Sequence, residues 1–443
     1  MPTPHEKLVL LTACLLLGGG ASARADAVES ISDAKKQELA SQPPVTVSTA
    51  IGDLTLPPPY NTESTTKNSR IVPWPDGAGP RAPEGFTVTK FAEDLDHPRR
   101  VHAAPHSEED GGADYFVALS DDARSSPNRI LLLRDSDGDG RLDETFEFAT
   151  EANGINQPYG MTILDGHFYV GNVDAVVRWP YREGMTRLEG KGEQVAELPA
   201  GGYNHHWTRN LLATRDGERL LVTVGSSSNV GEHGMDKEER RACILVMDPD
   251  GSDEELYASG LRNPVGMDYN PATGELWTAV NERDKIGDNL VPDYITSVRR
   301  GGWYGWPYSY YGDIRDPRWA EDPHEELVAK AIVPDVPVGP HTASLGLAFY
   351  TQDRFPERYH GGAFVGQHGS WNRANFSGYK VVFVPFDDEG RPQPPEDFLT
   401  GFIADGDASQ VYGRPVSVAV TPRGDLLVSD DDGGVIWRVS YGD

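Results

Sequence analysis

The sequence predicts an all-β fold, a six-bladed β-propeller of four-stranded antiparallel blades. Three observations carry this. From Phe86 to the C-terminus, short β-rich runs alternate with Asp, Gly and Pro turns. The runs recur as similar units. Gly (48) and Pro (34) are abundant among the 443 residues, as many short strands joined by turns require.

The units can be followed along the chain. Val101 to Arg134 supplies one. The next opens Gln157-Pro158-Tyr159-Gly160-Met161, turns at Asp165-Gly166 and continues through His167–Val170 and Ala175–Arg178. His206 to Val224 keeps an Asp216-Gly217 turn. Asn263-Pro264-Val265-Gly266-Met267 opens another, followed by Gly274-Glu275-Leu276-Trp277. Leu345 to Val365 is the fifth. Arg414-Pro415-Val416-Ser417-Val418 opens the sixth, with Leu426-Leu427-Val428 and Ile436-Trp437-Arg438-Val439 behind it. The spacing is on the scale of about 50 residues, that of one four-stranded blade. Each unit alone leaves apolar faces exposed, so a ring is favoured over a pile of sandwiches. Phe86–Phe91 is placed to pair with the last unit and close the ring.

The residues before the repeats divide in two. Lys7 precedes an apolar run from Leu8 to Leu17, and Ala21-Ser22-Ala23 and Ala23-Arg24-Ala25 follow. This reads as a signal peptide over residues 1–25, too short for a membrane span. It predicts a periplasmic or secreted protein. Residues 26–85 carry no persistent pattern and read as an extended lead-in to the propeller domain of 86–443; Asp33–Ala40 and Lys237–Arg241 are candidate short helical turns. The formal net charge of −29 argues against nucleic acid or anionic lipid as a partner. With the signal removed Cys243 stands alone, in the apolar run Ala242–Val246, and reads as a buried small residue.

In a propeller, sites form where the innermost strands open onto the axis. Four segments stand there. In Tyr203-Asn204-His205-His206-Trp207, adjacent histidines on a strand point to opposite faces, one toward the tunnel and one into the blade; the plainer reading is a polar blade cap. Arg262 opens an apolar unit, where a buried cation needs an anion. Arg373 and Arg414 again place arginines near blade openings. Three such cations in an acidic chain suggest a polyanionic ligand, with structural ion pairs as the alternative.

The ordered set of motifs resembles the glucose/sorbosone dehydrogenase family, closest to its sorbosone-dehydrogenase-like branch. The matching elements are Pro83–Phe86, Gln157–Met161, His205-His206 with Asn210–Leu212, Gly260–Pro264, Asn281–Asp284 with Gly287-Asp288, Gly301–Pro307, His368–Arg373 and Gly413–Pro415. The resemblance implies a quinoprotein that oxidises a sugar or sugar aldehyde by hydride transfer to pyrroloquinoline quinone held on Ca²⁺. It implies His206 as the base, Arg262 at the reactive carbonyl, and Gln157, Asn263, Thr342, Arg373 and Arg414 around the cofactor. Backbone carbonyls of Arg283-Asp284-Lys285 match the stretch that binds calcium. Here His205 stands where glucose-oxidising members carry aspartate, and Asp284-Lys285 where they carry Gly-Pro. No Cys-x-x-Cys-His motif is present, so electrons would pass to an external acceptor, a quinone or a cytochrome. Two readings from other classes remain: a calcium-dependent hydrolase of the lactonase type, and a propeller that binds a glycan or protein without chemistry.

One run lies apart from these motifs. Asp135-Ser136-Asp137-Gly138-Asp139-Gly140 places oxygens at alternate positions with turn glycines, which suits Ca²⁺ through Asp135, Asp137 and Asp139. It reads equally as an acidic hairpin turn. Trp303, Tyr304 and Trp306 read as core packing or as a sugar-stacking wall.

Overall fold

Each recurring unit becomes one antiparallel sheet in a computed structural model, which describes residues 31–105, 112–121, 125–322 and 324–442. The predicted signal segment lies outside these residues. The sheets start at Pro98–Pro105, Met161–Leu164, Leu211–Ala213, Pro264–Tyr269, Ser344–Phe349 and Pro415–Val420, and each proceeds strand by strand outward. Five have four strands; the third gains a fifth, Gly302–Trp303, which pairs in parallel with Glu255–Ser259.

These six leading strands lie side by side in chain order, and Pro98–Pro105 packs against Pro415–Val420 as well as Met161–Leu164. Neighbours come so close that backbone faces backbone. A Cβ on Gly266 would sit 2.5 Å from the Leu347 nitrogen, and one on Gly346 would sit 2.5 Å from the Val416 carbonyl oxygen. This accounts for glycine inside the repeated anchors: no side chain fits between these strands. Tyr159, Val265, Leu345 and Val416, one from each of four units, meet in a small apolar cluster.

The next strands are buried on both faces because a sheet covers each side. Leu220–Val224, Cys243–Met247 and Leu276–Val280 are buried at every position, which explains apolar runs without alternation. The larger apolar clusters each join two consecutive sheets. Leu132 meets Phe168 and Val170, Val176 meets Val222 and Leu245, and Phe364 meets Val428. The series includes the last and first sheets, where Leu427 and Ile436 pack with Tyr115 and Val117. Phe86–Ala92 pairs antiparallel with Val435–Tyr441, so residues from both ends of the repeat region share one sheet. Phe86 lies edge-on to Phe355, Tyr359, Phe398 and Tyr441. Cys243 is fully buried, and burial pushes its thiol up to about 12.

The lead-in is more structured than its composition predicts. Asp33–Ala40 is a helix capped by Ser32, whose hydroxyl accepts the Lys35 amide, and Val45–Thr49 pairs with Gly52–Leu56. The chain then crosses one end of the sheet assembly. The amides of Tyr60, Lys67 and Arg70 donate to the carbonyls of Ile286, Trp371 and Ser409 at 2.7, 2.7 and 2.8 Å. The second helical turn forms at Met235–Glu238, slightly earlier than expected. Among the described residues no helix is long and apolar enough to cross a membrane.

Candidate active site

Loops entering the leading strands enclose a cavity of about 330 Å³. His205, His206, Arg262 and Arg414 line it, from three different sheets' entry loops, together with Asp284, with Glu282 and His368 from motifs already quoted, and with residues that sequence reasoning missed: Arg99, Asp293, His341 and Asp431. Trp371 and Asn372 separate it from a wider cleft of about 1070 Å³ whose opposite wall is the lead-in, through Tyr60 and Thr62 to Thr66.

Both histidines line the cavity, which corrects the expectation that one turns inward to the blade. Residues 204–210 are irregular, so strand alternation does not operate before Leu211. The two rings stand edge to face, 4.5 Å apart. Burial, then Arg262 and His205, drives the His206 imidazole well below its ordinary value, so the ring is neutral at neutral pH. Its Nδ1 lies 3.0 Å from the Ser226 carbonyl oxygen and 3.0 Å from Ser226 Oγ. A carbonyl only accepts, and Ser226 Oγ spends its own proton on the Ser228 carbonyl at 2.6 Å. Nδ1 therefore carries the hydrogen and Nε2 keeps the lone pair. His205 is brought down to about 4, by burial and then by Arg262.

Arg262 is 2 % exposed and donates in every direction. Nε bonds the Asn229 carbonyl at 3.0 Å. One terminal nitrogen bonds the Glu282 carbonyl at 2.7 Å, and the other bonds Asn229 Oδ1 and Asp284 Oδ2 at 2.9 Å each. Asp284 also accepts from Asn372 at 2.6 Å. Burial would raise its carboxyl, but Arg262 and then His341 outweigh that and hold it far below the ordinary range. Asp431 is treated alike: His368 and Arg99, the latter at 2.5 Å, outweigh burial. At Glu282 burial outweighs Arg262, and at Asp293 it outweighs the Glu282 amide and His341, lifting the two carboxyls to about 7 and about 6.

The remaining candidates scatter. Arg414 donates to the carbonyls of His368 and Gly369 at 3.0 and 3.1 Å and lies 3.5 Å from Asp432. Asn263 bonds Asn281 through Nδ2 at 2.9 Å; its Oδ1 is buried with no hydrogen-bond partner among the described residues, beside His206 across Gly225. Thr342 sits behind the wall, donating to Asp293 at 3.0 Å. Gln157 lies at the rim, bonding the carbonyl of the cavity residue Asp121 at 2.8 Å. Arg373 lies outside the cavity, on the Asp288 carbonyl and Asn289 at 3.0 and 2.8 Å. Lys285 and Arg283 line the wider cleft, and the Asp284 carbonyl already accepts from Asn229 Nδ2 and from the Arg283 guanidinium. His368, Asp431 and Asp432 offer ligand atoms within 4.8 Å of one another. Tyr304 and Trp306 are core residues, Trp306 bonding the Asn229 carbonyl at 3.0 Å.

The arginine that sequence reasoning missed had a signal. An arginine beside a proline opens its unit, as in Arg414-Pro415 and Arg262-Asn263-Pro264, though here Pro98 precedes Arg99. Asp293 and Asp431 had none, since their partners Thr342 and Arg99 lie far away in the chain.

The model of the glucose/sorbosone dehydrogenase family matches residues 166–377, and a TrAA12-like model matches residues 322–442. An uncharacterized protein of Borreliella burgdorferi is 30% identical over 302 residues, which span 66% of this chain and 78% of that protein. Among solved structures, the holo form of the pyranose dehydrogenase PQQ domain from Coprinopsis cinerea superposes with a TM-score of 0.66 at 19% identity, covering 84% of this chain and 100% of the other. The calcium structure of the Trichoderma reesei carbohydrate-active enzyme of family AA12 gives 0.68 at 20% identity, covering 85% and 100%. Those structures share the β-propeller fold, and with the family match over the central sheets the chain belongs to the glucose/sorbosone dehydrogenase family.

Proposed function

We propose that this protein is an exported, six-bladed quinoprotein that oxidises a sugar or sugar aldehyde, of aldose or sorbosone type, and passes the electrons to an external acceptor. The blade count is supported by six sheets whose leading strands neighbour one another in order, the last beside the first. The observation that carries the chemistry is His206: a half-buried neutral imidazole with its lone pair on Nε2, in a cavity shared with Arg99, Arg262 and Arg414.

The residues present fit pyrroloquinoline quinone. Three guanidiniums suit a ligand of three carboxylates, Asn263 Oδ1 is a buried acceptor awaiting a donor, and the volume falls within the range of small-molecule sites. Asp431 and Asp432 supply oxygen donors for a hard divalent cation. When bound, the quinone supplies the two-electron hydride acceptor. His206 Nε2 takes the proton of the substrate hydroxyl, and Ser226 fixes the ring. Arg262, immobilised by its bonds to Asn229, Glu282 and Asp284, presents positive charge without reorganising.

Carboxylates also line the cavity, which favours the calcium-dependent hydrolase as a second reading. One experiment separates them. Apo-protein supplied with quinone and Ca²⁺ is expected to bind the quinone, read by absorbance and calorimetry, and to reduce a dye with aldoses. His206→Ala is expected to retain the quinone and lose about 10²–10⁴-fold in rate. Absence of quinone binding, with hydrolysis of a lactone panel instead, would overturn the proposal.

A further inference from the structure

The acidic hairpin between Arg129–Asp135 and Glu144–Ala149 plays no part in the cavity. Asp135, Asp137 and Asp143 each offer a carboxylate oxygen, all within 4.8 Å of one another. Oxygens bound to one Ca²⁺ at 2.3–2.6 Å lie no farther apart than about 5 Å. Asp143 thus stands where the sequence pattern suggested Asp139, whose Oδ1 accepts the Arg141 amide at 2.8 Å instead.

The three carboxylates are half spent. Asp137 accepts the Asp139 amide at 3.1 Å through Oδ1, and Asp143 the Ser136 amide at 2.7 Å through Oδ2. Asp135 accepts the Gly140 amide at 2.9 Å through Oδ2. Among the described residues its Oδ1 is buried without a hydrogen-bond partner, in a residue only 2 % exposed. A buried carboxylate oxygen left so is costly, and two further carboxylates beside it add repulsion. A divalent cation removes both penalties, and an all-oxygen donor set selects Ca²⁺ over softer metals.

We propose that this loop is a structural calcium site, and that it pins the first sheet to the sheet shared by both ends of the repeat region. The loop already reaches across that seam. Arg423 donates to the Gly138 carbonyl at 2.6 Å. Gly140 lies against the Arg438 guanidinium, 2.6 Å from where a Cβ would stand. Residues 139–142 share a surface depression with Phe86–Ala92. Ordering the loop orders the contacts that hold the ring-joining strand.

The test uses the full chain, stripped with chelator and free of quinone. Calcium titration is expected to release heat and raise the melting temperature. Asp137 and Asp143 are exposed, so Asp137→Asn and Asp143→Asn keep the fold; each is expected to weaken Ca²⁺ binding at least about tenfold and to remove most of the thermal shift. Asp139→Asn makes the same charge change outside the cluster and is expected to keep both. Hydrogen exchange in Phe86–Ala92 and Val435–Tyr441 is expected to slow with Ca²⁺ in the unaltered protein. No binding, a shift that survives in Asp137→Asn and Asp143→Asn, loss of binding in Asp139→Asn alone, or unchanged exchange at the seam would each overturn the proposal.

Discussion

Replacing Arg262 with methionine tests the electrostatics of the cavity directly. The guanidinium is 2 % exposed and pairs with Asp284 at 2.9 Å, so methionine keeps much of the volume but leaves a buried carboxylate without its main cation. Removing one partner of a buried pair costs about 3–5 kcal/mol. For a chain of this length the unfolding entropy is about 0.9 kcal/mol/K, so the melting temperature is expected to fall by about 3–5 °C. The sign with pH follows from Asp284. With Arg262 present its carboxyl lies far below the ordinary value, so its contribution to stability is intact at neutral pH and is lost only as pH falls through that low value. Without Arg262, burial, the largest influence on this group, is opposed mainly by His341 and is expected to carry the carboxyl above the ordinary value. Stability then declines as pH rises through the new value. Arg262→Met is therefore expected to lose more stability at pH 8 than at pH 5. Adding Asp284→Asn removes the stranded charge and is expected to restore about 2–3 kcal/mol relative to additivity. Denaturant unfolding of the four proteins at both pH values gives all the terms. Strict additivity, or equal losses at the two pH values, would refute the argument.

Other outcomes follow from the same geometry. The ring of His206 in apo-protein is expected to stay neutral well below pH 6.5, measured by NMR titration, and Arg262→Met is expected to move its titration upward because a neighbouring cation has gone. Gly346→Ala puts a Cβ 2.5 Å from the Val416 carbonyl oxygen; the resulting overpacking is expected to cost about 1–3 kcal/mol in unfolding free energy. Cys243 is expected to resist thiol reagents at pH 8 until the protein unfolds, since it is buried and its thiol titrates only at about 12.

The sheets were legible because burial on both faces leaves unbroken apolar runs, as in Cys243–Met247, and because close packing of leading strands demands glycine at recurring positions such as Gly160 and Gly266. The pairing of Phe86–Ala92 was legible from a leftover strand with no partner of its own. The fourth sheet was harder. Its outermost strand, Val336–Pro340, follows residues 298–335, which carry their own hairpin and a strand lent to the third sheet, so the repeat distance is stretched there. Site residues divide by what carries them. Arg262 and Arg414 sit at strand entries, whose direction the fold dictates. Arg373 sits on a loop, and it turned to Asp288 and Asn289. The lead-in was opaque for a related reason: its backbone bonds go to distant loops such as that of Trp371, and no local pattern encodes them.

The charge inventory of the cavity bears on how the proposed triply anionic cofactor would be held. Arg99 and Arg262 are already committed, to Asp431 and Asp284, and both those carboxyls are held ionised. Arg414 lies near Asp432 but spends its hydrogen bonds on two carbonyls. Glu282 and Asp293, lifted to about 7 and about 6, are the carboxyls that can give up charge at modest cost. An anion entering this cavity therefore meets cations largely neutralised by their own partners, and three more negative charges would overdraw the balance. Two routes restore it: protons taken up by Glu282 and Asp293, or a divalent cation entering with the ligand. The first makes quinone affinity rise steadily as pH falls below 7, with or without Ca²⁺. The second makes affinity collapse on chelation and nearly indifferent to pH between 6 and 8. Since two ionised carboxylates of the wall stay fixed throughout that range, and each faces a guanidinium it does not release, the balance favours the metal.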